Sequence, residues 1–404
     1  MSRKNKQQTS GDDAQHLSRS RAITGYADKR KKRRRHKILR ITLITVSCVV
    51  AALAIAAWTY VSSINSRLST GIDSSLRSTL SATSNGNPFY MLLLGIDKDE
   101  DRAEGTEYGS SDSAYRSDSI MLVRIDPTNK KVTLVSIHRD TLVDLGKNGE
   151  QKINAAYSIG GASYATQVIE EFAGVNISHY AEIDMDGMAS VVDAVGGVDV
   201  DLPIAVKDPN YTGLDLEAGE QHLDGQTAAL LCRARHAYDN YGDGDRYRAA
   251  NQRIVIMAIV EKVLASDPTT IATTVSDLAN MVNTDMDVNS IVSLATEMKD
   301  INVSTDIMTG MEPTTSTYKN DTWYEICDTD AWKTMMERVD QGLSPTEDGN
   351  DDDMESNTAA ELEDESSSDT SDSGSTSSES NESSSNAGTS SNSSGSTSSS
   401  SDSN

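Results

Sequence analysis

Cysteine is scarce: there are three in 404 residues, with no CxxC pair and no Cys/His cluster, which argues against a zinc site. Cys48 falls inside an apolar run. Cys232 and Cys327 are far enough apart in sequence that spacing leaves both a disulfide and two free thiols open. Positive charge is thin over most of the chain. After Arg40 there are 22 Lys/Arg against 59 Asp/Glu, a net of −37, whereas residues 1–40 carry 14 against 3, a net of +11. Such an imbalance marks tails or separate compartments rather than one evenly charged fold. Apolar side chains all but vanish from the last 50 residues, which are rich in Asp, Glu, Ser, Asn and Gly. That composition cannot bury enough surface to offset ordering entropy, so 346–404 is expected to be a disordered tail. It carries no LPxTG-like sorting signal, and no internal repeat is visible.

One long apolar run does exist. Ile41 to Val61, "ITLITVSCVVAALAIAAWTYV", has 21 residues and no charge. At ~1.5 Å per residue it spans about 30 Å, the thickness of a bilayer core. Trp58 and Tyr60 stand at one end, where amphipathic rings favour the interface. The run is longer than a signal-peptide core, so an uncleaved anchor is expected rather than a removed leader. "KRKKRRRHK", Lys29 to Lys37, precedes it and by the positive-inside rule lies in the cytoplasm. Beside a span, this basic run is expected to orient the helix and touch anionic membrane lipid. No nucleic-acid partner is expected.

The expected organisation is a disordered basic cytoplasmic tail (1–37), a transmembrane signal anchor (38–62), a Ser/Thr-rich stalk (63–87), an extracellular globular domain (88–345) and the acidic tail (346–404). Within the domain, "FYMLLLGID", "SIMLVRIDP" and "KVTLVSI" read as buried strands, the last two joined as a hairpin through "TNK". "ASYATQVIEEFAG" has helical spacing and a glycine stop, and Asp224 is placed to cap a helix over "GQTAALLCRAR". "ANQRIVIMAIVEKVLAS" reads as an amphipathic helix. Strands alternating with helices predict an α/β fold, a mixed central sheet flanked by helices on both faces. The hairpin excludes a purely parallel sheet.

The domain then gathers its few cations. "LLCRARHAYDNYGDGDRYRAANQR" contains Arg233, Arg235, Arg246, Arg248 and Arg253. Two helix ends and a flexible connection could bring several of them to one spot. The planar guanidinium fork suits phosphate oxygens, and a helix N-terminus adds N–H donors. Ion pairs to Asp239, Asp243 and Asp245 are the alternative. A second constellation sits at strand ends: Asp97 after the first strand, Arg116 and Asp118 opening the second, Arg139 and Asp140 after the third. Carboxylates beside arginines suit Mg²⁺ shared with phosphate oxygens, or turns closed by side-chain caps.

"LLLGID", "RSDSIMLVRIDP", "VSIHRDT", "KINAAYSIGG", "VDAVGGVDV", "LDGQTAALLCRARH" and "DRYRAANQ", in this order and spacing, resemble the LytR-CpsA-Psr (LCP) family of Gram-positive cell-wall enzymes. The resemblance is strongest from about Asn87 to Lys262. It implies a polyprenyl-phosphate glycophosphotransferase that takes a glycopolymer from undecaprenyl diphosphate and joins it to peptidoglycan, releasing undecaprenyl phosphate. It further implies Mg²⁺ on Asp97 and Asp118. The diphosphate would lie on Arg116, Arg139, Arg233, Arg235, Arg248 and Gln252, with Arg139 and Asp118 in catalytic roles. Asp245 falls where the family has an aspartate. The chain departs from the family pattern at His138, where a proline is usual, and at Asn251, where an arginine is frequent. A polyprenyl-diphosphate hydrolase or a non-catalytic wall-polymer binding protein would use the same anion site.

Overall fold

The computed structural model describes residues 9–84, 86–97, 116–241 and 244–347; for 9–29, Asp97, Arg116 and Met185 it describes the backbone only. The charged insert after Asp97, Asp243 and the tail from 348 lie outside the described residues.

Six strands form the central sheet: β1 (Phe89–Asp97), β2 (Arg116–Asp126), β3 (Lys131–Ile137), β4 (Ile177–Asp184), β5 (Val282–Thr284) and β6 (Ile307–Met311), in the order β5-β4-β1-β2-β3-β6. β1–β2 and β2–β3 are antiparallel, and β1–β4 and β3–β6 parallel, so the sheet is mixed as expected. The "TNK" turn closes the β2–β3 hairpin, and Lys130 adopts a left-handed φ of 52° there.

The strands alternate between two cores. Leu92, Leu94, Ile120, Leu122, Val135 and Ile137 enter one layer. Met121, Val123, Ile125 and Leu134 enter the other. A pleated strand sends successive side chains to opposite faces, so a strand apolar throughout needs cover on both. The α-helices of six or more residues are α1 (Thr9–Leu68), α2 (Ser74–Thr79), α3 (Ala155–Ala173), α4 (Met185–Ala194), α5 (Gly225–Leu231), α6 (Gly244–Ala265), α7 (Pro268–Leu278), α8 (Val288–Glu297) and α9 (Thr329–Asp340). α2, α3 and α9 cover the first face through Leu76, Val168, Ile169, Trp332 and Met336. α6 and α8 cover the second through Met257, Val260 and Leu294.

α3 begins earlier than the sequence pattern suggested. Its first turns run to a kink at Gly160 and Gly161, where φ is 65° at Gly161, a conformation glycine adopts without Cβ strain. The expected stop holds: Gly174 closes the helix in the left-handed region at φ 69°. Asp224 caps α5, accepting the Thr227 N–H at 2.8 Å.

α1 contains a stretch, within Arg30–Leu68, long and apolar enough to cross a membrane. Its apolar residues, including Leu43, Leu53 and Trp58, are exposed, which in water would be costly and in lipid is not. The segment read as a stalk is packed: Ile64 and Leu68 are buried with Ala279 and Val288, and Leu76 enters the main core. Tyr60 Oη lies 3.0 Å from Ser276 Oγ, and Asn65 accepts the Val288 N–H at 3.0 Å. The helix therefore continues from the apolar run onto the domain.

Candidate active site

The β1–β2 ladder is irregular where the chemistry was expected. Ile96 pairs with Ser117 and Gly95 with Ser119, which leaves Asp118 as the extra residue. Such a bulge re-aims a side chain, and bulges are common beside active sites. β3 ends at Ile137, so His138, Arg139 and Asp140 form the turn beyond its end, next to Asp118.

The third contributor is α6. It starts at Gly244, six residues before the amphipathic pattern begins, so Asp245 and Arg248 stand at i and i+3 on one helical face. Polar residues share its buried side: Arg248, Asn251, Gln252 and Arg253 are buried alongside Tyr247 and Val255. The helix is therefore not divided into an apolar and a polar face. The connection before it is also ordered in part. His236–Tyr241 is a 3-10 turn held by Tyr238, which stacks on Tyr247 at 4.8 Å and accepts a hydrogen bond from Asn251 at 2.8 Å. The expectation of a flexible connection is corrected here, because the tyrosines anchor it.

Asp118, His138, Arg139, Asp245, Arg248 and Gln252 line one recess. Arg139 donates through Nη1 to Asp118 Oδ1 at 3.0 Å, and its Nε lies 3.2 Å from Asp245 Oδ2. Arg248 donates through Nη2 to the same Asp245 oxygen at 2.9 Å and to the Asp118 carbonyl at 3.1 Å. Asp245 is thus the shared counter-ion of two guanidiniums. Burial opposes the charge on Arg139, but Asp245, Asp118 and Asp140 outweigh it and hold its pKa above the ordinary value. Arg248 is shifted down, chiefly by burial, with the neighbouring charges of Arg139 and Arg235 adding to the effect. Its Nε is buried without a hydrogen-bond partner among the described residues. The recess therefore sets two guanidiniums against two carboxylates in a partly buried setting, and an anion entering it would compete with Asp118 and Asp245 for Arg139 and Arg248.

The remaining expected residues divide. Gln252 lines the recess and donates to the Cys232 carbonyl at 3.0 Å, tying α6 to the end of α5. Arg233 and Arg235 follow α5 on the surface; among the described residues neither is paired with a carboxylate. The ion-pair alternative for that cluster holds only in part: Asp239 pairs with His236 at 3.3 Å, Asp245 with the recess arginines, and Asp243 lies outside the described residues. Arg253 is set apart from its neighbours in sequence. It is 1% exposed and donates to Ser136 Oγ at 2.9 Å, which gives it a packing role under β3. Cys232 and Cys327 are both free thiols. Asp97 ends β1 with its Cα opposite Arg116, but both side chains lie outside the described residues.

For a divalent cation, the donors available are Asp118, whose Oδ2 has no hydrogen-bond partner among the described residues, and the adjacent strand end that bears Asp97. No group of three or more His, Cys, Asp or Glu suited to a metal occurs among the described residues. Mg²⁺ takes one or two carboxylates and completes its shell with water and phosphate oxygens, so Asp118 beside the end of β1 is compatible with it.

Comparison with known proteins supplies the identity of the domain. The family model of the LytR_cpsA_psr family matches residues 56–341. The chain belongs to this family. A polyisoprenyl-teichoic acid–peptidoglycan teichoic acid transferase, TagU, from Enterococcus faecalis is 39% identical over 198 residues, covering 48% of this chain and 61% of the relative. TagV, the transferase of that type from Bacillus subtilis, is 30% identical over 241 residues, covering 56% of this chain and 58% of the relative. The chain thus spans less than two-thirds of either relative's own length. The crystal structure of B. subtilis TagV superimposes with a TM-score of 0.55 at 27% identity, over 64% of this chain and 98% of that one.

Two residues of this LytR_cpsA_psr domain carry weight that sequence reading did not give them. Asp245 was visible as an aspartate three residues before an arginine, but its role as a hub needed α6 to begin at Gly244. Glu312, just past β6, had no signal in sequence. It is 1% exposed and accepts the His138 N–H at 3.0 Å and the Thr141 hydroxyl at 2.7 Å, so it pins the turn that presents Arg139. Burial pushes its carboxyl up to about 7, against hydrogen bonds from Thr141 and His138 that pull it down. An unfolded glutamate titrates near 4.3, so the folded chain keeps this proton over an interval in which the unfolded chain has lost it. The stability contributed is complete below the unfolded value and is lost as pH rises toward the folded one. Urea unfolding should show stability falling by about 3 kcal/mol between pH 4.5 and pH 7.5 from this group. Glu312→Gln should flatten that slope, and an unchanged slope would contradict the assignment.

Proposed function

We propose that this chain transfers a glycopolymer from an undecaprenyl-diphosphate carrier to peptidoglycan by phosphoryl transfer, on the outer side of the membrane that α1 crosses. The observation that carries the reading is the pair of guanidiniums, Arg139 and Arg248, sharing one carboxylate in a recess at the strand ends. Family membership and the transferase relatives support it. The basic run before the apolar stretch supports an N-terminus in the cytoplasm and the domain outside.

Outside the cell the energy for transfer must arrive within the substrate, and a lipid-linked diphosphate brings it. A peptidoglycan hydroxyl oxygen attacks the phosphorus next to the sugar. The bond from that phosphorus to the bridging oxygen breaks, undecaprenyl phosphate leaves with the electron pair, and the proton of the attacking hydroxyl is taken up by the leaving phosphate or by water. Arg139 and Arg248 bind the diphosphate oxygens and stabilise the charge gathering on the leaving phosphate, and Arg235, Arg233 and Arg116 are assigned to the substrate as further cations by this reading. Gln252 holds the arginine segment against α6. In this reading Asp118 also orients the attacking hydroxyl. Mg²⁺ would be held by Asp118 and Asp97 and, when bound, would neutralise charge on the phosphate oxygens. Positioning and electrostatics of this kind account for most phosphoryl-transfer catalysis.

The test is reconstituted transfer from a lipid-linked polymer to peptidoglycan, reading the polymer–peptidoglycan phosphodiester directly. Activity should stop with EDTA and return with Mg²⁺. Release of undecaprenyl phosphate without the phosphodiester would instead identify a hydrolase. Polymer binding that EDTA leaves untouched, with no turnover, would identify a binding protein.

A further inference from the structure

Thr314–Lys319 and Thr322–Cys327 form an antiparallel hairpin outside the central sheet. Asn320 and Asp321 turn it with φ of 52° and 60°, the left-handed pair that suits a tight two-residue hairpin. Directly paired residues share a face, so Tyr318 stands beside Trp323, their rings 5.2 Å apart. Both are more than half exposed, at 57% and 60%. The chain has three tryptophans. Trp58 belongs to the apolar run, Trp332 is core, and Trp323 alone is held in water by a folded hairpin.

The face behind the rings is polar. Ser316 and Glu325 follow along it, joined by a 2.6 Å hydrogen bond. Exposed Tyr and Trp also serve protein interfaces and bilayer surfaces, so the choice of ligand here rests on what adjoins the rings. Glu325 is buried, so what the rings adjoin in water is the exposed hydroxyl of Ser316 and, through the strand, the recess; flat rings beside a hydroxyl match a ligand with flat C–H faces edged by hydroxyls, as a pyranose ring has.

The hairpin is joined to the recess. Glu325 N–H donates to the Asp140 carbonyl at 3.0 Å, and Thr141 bridges to Glu325. Lys152 pairs with Asp140 at 3.0 Å and lies 5.9 Å over the Tyr324 ring. Asp140 follows Arg139. Trp323 is two residues along the strand from this junction, about 7 Å at ~3.3 Å per residue.

We propose that the Tyr318–Trp323 face binds the sugar rings of the peptidoglycan glycan strand and so aligns the acceptor hydroxyl with the recess. The identity of the acceptor rests on the function proposed above. A polyol-phosphate donor chain fits less well: it offers no ring to stack on, and its charges would meet the exposed Asp321, while Lys319 is already paired with Glu150 at 2.8 Å.

The full chain in lipid nanodiscs can be co-sedimented with peptidoglycan sacculi stripped of wall polymers. Trp323→Ala should bind them about tenfold more weakly, and Trp323→Phe should keep most of the affinity. Both should retain the wild-type melting temperature and the wild-type affinity for inorganic pyrophosphate, which reports on the recess. Unchanged sedimentation of Trp323→Ala would overturn the proposal. So would a loss that accompanies a lowered melting temperature and is equal in the Phe variant, because the rings would then serve only the hairpin. A defect confined to purified polyol-phosphate polymer would overturn the choice of ligand. None of these readings needs turnover, so they stand apart from the outcome of the transfer assay.

Discussion

Arg139→Ala is expected to lower single-turnover transfer by about 10²–10³, the cost of removing one preorganised donor to a developing oxyanion. Arg139 is chosen because it touches both carboxylates of the recess, Asp118 at 3.0 Å and Asp245 at 3.2 Å, and is presented by a turn that Glu312 pins from below. Arg139→Lys should recover only part of the rate, since an ammonium cannot span two oxygens as a planar fork does. Some stability should be lost as well, because Arg139 is scarcely more exposed than Asp245 and its removal leaves two carboxylates facing each other, so the rate is read per folded enzyme. Transfer by Arg139→Ala at the wild-type rate would remove the recess from the mechanism.

Asp245→Ala should show the opposite balance, a large effect on stability that an anion reverses. Its carboxylate is the counter-ion between Arg139 and Arg248, and Arg248 is buried. Without it two guanidiniums face each other with Asp118 as the nearest remaining charge. Breaking a buried pair on one side typically costs 3–5 kcal/mol; with Asp245 partly open to solvent, a loss of about 2–3 kcal/mol in urea unfolding is expected. Inorganic pyrophosphate should then raise the midpoint of the variant more than that of the wild type, because the ligand replaces the missing charge. A variant as stable as wild type in ligand-free buffer would show that Asp245 is not the counter-ion.

Much of this architecture was legible before the structure. The apolar run and its basic flank, the three core strands, the β2–β3 hairpin, the cap at Asp224 and the stop at Gly174 all follow from local chemistry, and local chemistry is written in consecutive residues. The site was legible in part. Asp118, Arg139 and Arg248 were singled out, and they meet in one recess. Arg253, in the same arginine-rich stretch, is buried in packing instead. Five residues of helix, a net rotation of about 140°, separate Arg248, which faces the recess, from Arg253, which faces the core, and composition cannot see that rotation.

What the sequence by itself determined is the material: which segments are apolar enough for lipid or core, where the turns fall, and that a chain this acidic concentrates arginine in one stretch of its folded domain. Tertiary structure alone decided the assembly. It set the start of α6, which makes Asp245 a hub, the bulge that turns Asp118 into the recess, and the approach of Glu312 to a turn 171 residues away in sequence. The physical reason is that electrostatic partners and buried polar contacts depend on distance in space, and the fold brings strand ends and helix starts together from positions that sequence spacing does not relate.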